Sequence, residues 1–117
     1  MQFYLIFICE NNLYSVYSPL SVRQPKDRSI SKMVSNIGPA TISCDGNDVF
    51  KVHEVLSKAI TETRKGKGPF FLEFFTYRWL EHCGPNLDNN LGYRSKKEFN
   101  QWKSKDPLKN LKLKIKK

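Results

Sequence analysis

Phe3-Tyr4-Leu5-Ile6-Phe7-Ile8-Cys9-Glu10-Asn11-Asn12-Leu13-Tyr14-Ser15 opens with seven apolar residues in succession and stops abruptly at an acid and two carboxamides. Most of the run is aromatic or β-branched and has no polar alternation, which suits a parallel strand covered on both faces. Ligands of open α/β sheets sit beyond the ends of such strands. An Asn at that point offers a neutral oxygen to a hard cation or a donor to a phosphate, and the irregular backbone beyond it exposes carbonyls. The run is too short to cross a bilayer. It also lacks the basic flank and small-residue cleavage site of a secretion signal.

Outward from this strand, Leu13 to Pro25 carries prolines and hydroxyls without a sustained period and reads as a loop. Ser29 to Ile37 places Ile30, Met33, Val34 and Ile37 at helical spacing, a packing helix. Ala40 to Cys44 leans toward strand and closes in Asp45-Gly46-Asn47-Asp48, where turn formation and helix capping explain both acids without a metal. The next helix has the clearest pattern, with Val49, Val52, Leu56, Ala59, Ile60 and Thr63 on one stripe. Gly66 and Gly68 stop it after a basic last turn. His53 falls beside the stripe, as a packed or surface residue.

Pro69 to Tyr77 is a second apolar strand that again ends in polar chemistry, at Arg78, Glu81 and His82. Strand, helix, strand implies a right-handed parallel unit. Gly84 to Gly92 is a turn-rich loop beside that end, the kind that covers sites. Ser95 can cap a closing helix with Glu98 as capping-box partner, carrying Phe99 and Trp102 inward. Asp106-Pro107 ends it. The lysine-aliphatic tail from Leu108 to Lys117 reads as a solvated, frayed terminus.

A chain of 117 residues holds one modest domain. Its net charge of +9 is concentrated in the tail and at Arg64, Lys65 and Lys67, so neither nucleic acid nor a membrane is expected as partner. Cys9, Cys44 and Cys83 are odd in number and widely spaced, which points to free thiols in a reducing, cytoplasmic setting. Zinc is not expected, since His53 and His82 stand at no ligand spacing from them.

Taken together, Cys9-Glu10-Asn11-Asn12-x-Tyr14, the Asp45-Gly46-Asn47-Asp48 turn, and Gly66-Lys67-Gly68-Pro69 leading to Glu73-x-x-Thr76-Tyr77-Arg78 form a collinear set. With His82 and Gly92-Tyr93-Arg94, it resembles the alpha subunit of thiamine diphosphate-dependent 2-oxoacid dehydrogenases. This is the decarboxylating first component of the pyruvate, branched-chain and acetoin complexes. The resemblance runs from Phe3 to Pro107. It implies an α/β fold, a portion of a parallel-sheet thiamine diphosphate-binding fold truncated at both ends. Residues 3–107 would be the C-terminal part of the cofactor domain and 108–117 a basic tail.

The resemblance also implies roles. Asn12 would give its side-chain oxygen and Tyr14 its carbonyl to the magnesium that grips the diphosphate. His82 would face the thiazolium ring as the catalytic histidine, assisting acyl transfer to lipoyl. Arg78 belongs with the cofactor-binding residues, at the base of that histidine's loop, which Tyr93 and Arg94 close. Thiamine diphosphate and Mg are the implied cofactors. A beta subunit and the lipoyl domain of an acyltransferase are the implied partners, in a heterotetramer.

Three departures stand out. The Gly-Asp-Gly that supplies the family's magnesium carboxylate is absent, which suggests a fragment without turnover on its own. The loop positions that carry phosphorylated serines in kinase-regulated members correspond here to Cys83 and Gly92, so such control is not expected. Trp79-Leu80-Glu81 replaces the stretch familiar from pyruvate enzymes, leaving the substrate open. The competing reading is a catalytically incompetent module that still pairs with a beta-type subunit.

Overall fold

The computed structural model of the chain describes residues 4–116; Phe3, at the head of the opening run, and Lys117, at the end of the tail, lie outside them. In chain order the elements are β1 (Ile6–Asn11), a small ribbon of β2 (Tyr14–Ser15) and β3 (Ser18–Pro19), then α1 (Leu20–Arg23) and α2 (Ile30–Ser35). They continue with β4 (Ala40–Asp45), α3 (Val49–Arg64), β5 (Phe70–Phe75), α4 (Lys96–Lys103) and α5 (Pro107–Ile115).

β1, β5 and β4 form a parallel sheet in the order β1-β5-β4, in register from Ile6, Phe70 and Ala40 to Asn11, Phe75 and Asp45. All three strands therefore end together at one edge, and their polar tips meet there. On one face α3 packs Val55 and Ala59 against Phe70, Leu72 and Phe74. On the other face α2 brings Ser31 onto Glu73.

The opening strand is an edge strand and not a covered one: Phe7 is 49% and Ile8 56% exposed. β5 holds the central place, because the chain forms β4 and then inserts β5 between it and β1. Among the described residues only β5 has a ladder on both sides, and only β5 is almost continuously buried. The radius of gyration, 16.5 Å, exceeds the ~13 Å of a compact domain of this size, consistent with a partly uncovered sheet.

Other expectations shift in detail. On α3, Val52, Leu56, Ala59 and Thr63 are covered as the stripe predicts, but Val55 joins them while Val49 and Ile60 are exposed at its margins. The stripe is centred nearer Val55 than the sequence suggested. Asp48 caps this helix, its Oδ1 accepting from Phe50 N at 3.0 Å and Lys51 N at 3.3 Å. His53 lies on the exposed surface. Ser95 caps α4 through Glu98 N at 3.0 Å, but the Glu98 carboxylate accepts from the Tyr14 hydroxyl in place of the reciprocal bond to Ser95.

The tail is also more ordered than frayed. Asp106 accepts from Lys109 N at 3.0 Å and Pro107 sits in the first turn, so the pair that ends α4 also starts α5. Lys114 of α5 lies 3.5 Å from Asp48 and over the Phe50 ring, although Leu108, Leu113 and Ile115 remain exposed. Among the described residues no helix is long and apolar enough to cross a membrane.

Leu72 is fully buried at the centre of this small core. Leu72→Ala should therefore cost about 2–5 kcal/mol, the sum of lost transfer energy and a cavity the sheet cannot close. Urea unfolding of the two chains measures it, and a difference below about 1 kcal/mol would mean that the sheet–α3 contact is not the core.

Candidate functional site

The tip of β1 is shaped by two carboxamides used in succession. Asn11 Oδ1 accepts from Leu13 N at 3.0 Å, and Asn12 Oδ1 accepts from Tyr14 N at 2.9 Å. These side-chain turns hold Leu13 at φ +69°, a left-handed conformation that costs a non-glycine residue about 1–2 kcal/mol. Val16, at φ +55°, is a second such residue in the same ribbon. Leu13 O is closed by Leu20 N at 2.8 Å, so the ribbon folds back over the strand end.

The neighbouring strand ends are locked to it. Thr76 N donates to Asn11 O at 3.0 Å, and Gly46 N donates to Phe75 O at 2.7 Å. Gly46 is needed here because a Cβ would stand 2.9 Å from Phe74 Cβ and 3.0 Å from Phe75 O. Thr76 Oγ1 then donates to Asn47 Oδ1 at 2.8 Å, joining the turn after β4 to the end of β5.

Arg78 connects this tip to the loop carrying His82. Its Nη2 donates to Val16 O at 2.9 Å and to Tyr93 Oη at 2.9 Å, and its Nε donates to Leu80 O at 3.0 Å. Its Nη1 lies 3.3 Å from His82 Nδ1. A guanidinium can only donate, so His82 Nδ1 is the acceptor and the neutral ring carries its proton on Nε2. His82 is exposed, leaving that N–H free to meet a ligand. Arg78 thus shapes the loop as expected from its position, with most of its donors already committed within the chain.

Asp88 is the buried counter-charge of the loop, a role that nothing in its turn-rich surroundings singles out. It pairs with Arg94 Nη2, accepts from Tyr93 Oη at 2.5 Å, and lies 3.8 Å from Arg78 Nη2. Burial alone would raise its pKa, but the Tyr93 hydroxyl and the two guanidiniums outweigh it and hold the carboxyl below its ordinary value. Arg94 also donates to Arg78 O at 2.5 Å and sits over the rings of Tyr77, Tyr93 and Phe99. Tyr14 packs edge-on against Tyr77 and Tyr93. Burial, followed by its bond to Glu98, raises the Tyr14 hydroxyl pKa.

The structure therefore brings Asn12, Tyr14, Arg78 and His82 to one end of the sheet. The groove of about 350 Å³ between α5 and the start of α3, lined by Asp45, Asn47, Asp48, Phe50 and Lys114 among others, contains none of them. Cys9, Cys44 and Cys83 form no disulfide.

A family model described as the dehydrogenase E1 component matches residues 1–117, the whole chain. The chain belongs to the dehydrogenase E1 component family. It is 32% identical over 104 residues to the 2-oxoisovalerate dehydrogenase subunit alpha of Bacillus subtilis, covering 89% of this chain and 31% of that protein. It is 34% identical over 103 residues to the 3-methyl-2-oxobutanoate dehydrogenase subunit alpha of Mycobacterium tuberculosis, covering 88% of this chain and 27% of that protein. It is 34% identical over 108 residues to the pyruvate dehydrogenase E1 component subunit alpha of Porphyra purpurea, covering 92% of this chain and 30% of that protein. This member of the E1 family thus spans less than a third of the length of these alpha subunits. The resemblance carried by its motifs holds, and the parallel α/β sheet is consistent with part of such a subunit.

Proposed function

We propose that this chain forms the alpha-subunit side of a thiamine diphosphate site in a 2-oxoacid dehydrogenase. The observation that carries the reading is the Arg78 bridge, which ties the ribbon after Asn12 to the loop bearing His82. One end of the sheet then holds both a neutral oxygen set and a histidine.

The residues fit part of a magnesium-diphosphate site. Asn12 Oδ1 accepts one backbone N–H and keeps a second lone pair for a cation. Tyr14 faces Pro19 across the ribbon, and Pro19 has no N–H to give, so that partner makes no claim on the Tyr14 carbonyl. Neutral oxygens of this kind suit magnesium when phosphate oxygens and a carboxylate complete the octahedron. Thiamine diphosphate, when bound, supplies the carbanion chemistry. His82 would hold or donate the proton on Nε2, with Arg78 fixing the ring through Nδ1.

The partners proposed are a beta-type subunit completing the site and a lipoyl domain receiving the acyl group, in the cytoplasm. Relatives named for 2-oxoisovalerate and for pyruvate match almost equally well, so the reading commits to a 2-oxoacid, with acetoin a further candidate donor. A second reading, a non-catalytic module that still pairs with a beta-type subunit, is favoured by the donor set itself. Among the described residues no three His, Cys, Asp or Glu side chains are grouped to hold a metal.

Calorimetric titration of the isolated 117-residue chain with thiamine diphosphate and magnesium should show no tight binding, and the chain should show no turnover. One carboxamide and one carbonyl cannot hold a strongly hydrated ion. Tight magnesium-dependent binding by this chain alone would overturn the half-site. Co-purification with a beta-type subunit supports either reading, and turnover of the assembled enzyme distinguishes them.

A further inference from the structure

A buried carboxylate lies in the middle of the sheet, hydrogen-bonded to the tip of β1. Glu73 lies on β5, is 2% exposed, and among the described residues forms no ion pair. A carboxylate in an apolar sheet is costly unless its oxygens are hydrogen-bonded. Here they are, by groups from three elements. Oε1 accepts from Asn11 Nδ2 of β1 at 2.7 Å. Oε2 accepts from Ser31 Oγ of α2 and, at 3.2 Å, from Ser43 Oγ of β4.

Asn11, 7% exposed, is the link outward. One side of its amide meets an acceptor, Glu73, and the other meets a donor, Leu13 N. A flipped amide would set oxygen against carboxylate and NH₂ against N–H, so only one orientation satisfies both neighbours. A carboxylate at position 73 therefore dictates which end of Asn11 faces Leu13, the residue standing between Asn12 and Tyr14.

We propose that Glu73 is a positioning residue: through the Asn11 amide it holds Leu13 in its left-handed conformation and so sets Asn12 Oδ1 and the Tyr14 carbonyl in place. The consequence for magnesium rests on the half-site reading above, whereas the positioning itself rests on geometry alone. Ser31 and Ser43 complete the device by holding the carboxylate from the far side of β5.

Amide hydrogen exchange of the full chain, followed by NMR, tests it. Glu73→Leu should speed exchange at Leu13 and Tyr14 about fivefold or more, the equivalent of one lost hydrogen bond. Val55 and Ala59 in α3 should stay protected. Glu73→Gln should remain near wild type, because its carbonyl can still accept from Asn11 while the serine hydroxyls reorient to accept from its amide. The reciprocal swap gives a second handle. Asn11→Asp alone, carboxylate against carboxylate, should speed Leu13 exchange, and adding Glu73→Gln should slow it again. Unchanged Leu13 exchange in Glu73→Leu, or no recovery in the double variant, overturns the proposal. If Glu73→Leu also loses α3 protection by unfolding, the Asn11→Asp pair decides.

In the assembled enzyme containing this chain, magnesium-dependent thiamine diphosphate binding should weaken about ten- to a hundredfold in Glu73→Leu and recover in Glu73→Gln. An assembled wild-type enzyme that binds no thiamine diphosphate would refute the half-site while leaving the exchange result to judge the positioning role.

Discussion

Replacing Asp88 with alanine is expected to lower stability by about 3–5 kcal/mol, the usual result of leaving a buried guanidinium without its counter-charge. Arg94 is as buried as Asp88, with each side chain 1% exposed, so water cannot take over the lost interaction. Trp79 packs on Phe99 and Trp102 stacks on Tyr77, both within the cluster that Arg94 organises. The tryptophan fluorescence of urea-unfolded samples therefore reports on the element in question. Asp88→Ala should shift the midpoint to much lower urea. Adding Arg94→Met should recover part of the loss, because the orphaned charge is then gone. An unchanged midpoint in Asp88→Ala would mean that the loop is not held by this pair.

The same pair sets a pH dependence. The Asp88 carboxyl lies below its ordinary value in the folded chain, so it binds fewer protons folded than unfolded. Its contribution is present above the unfolded value, about 4, and is lost as pH falls through the lower folded value. Wild type should therefore lose stability more steeply below pH ~4 than Asp88→Ala does.

His82→Ala should reduce kcat of the assembled enzyme by about 10²–10⁴-fold, the range usually supplied by a positioned proton carrier. Thiamine diphosphate affinity should hardly change, because the ring sits on the loop and not on the strand tip. Arg78→Ala should be less selective, since it releases His82, Val16 and Tyr93 together. A His82→Ala enzyme with full kcat would remove the histidine from the chemistry. One that fails to bind cofactor would instead place it in the binding site.

The three strands of the main sheet and the helices α2, α3 and α4 were legible because their patterns are local, whereas β2, β3 and α1 lie in a stretch that reads as loop and α5 in one that reads as a frayed tail. Phe70 to Phe75 is apolar except for Glu73, and Asp48 and Ser95 are caps that name their helices. Sheet order was not legible, since an apolar run of the same quality occurs in both β1 and β5, and only topology decides which is covered. The Glu98 carboxylate and Pro107 had equally good local roles, and tertiary partners or the next helix claimed them. Asn12, Tyr14, Arg78 and His82 could be named from their motifs. Asp88 and the outward reach of Glu73 could not, because each acts through residues distant in sequence or through a turn with no period. The partners that matter most, Asn11 for Glu73 and Val16 for Arg78, are both 62 residues away.

The most direct test of the strand-tip half-site is calorimetry of thiamine diphosphate on the assembled enzyme containing this chain, with and without magnesium, for wild type and Asn12→Ala. A half-site built on Asn12 predicts tight binding only with magnesium, and loss of most of it in Asn12→Ala. Equal affinity without magnesium, or binding by Asn12→Ala indistinguishable from wild type, would contradict it.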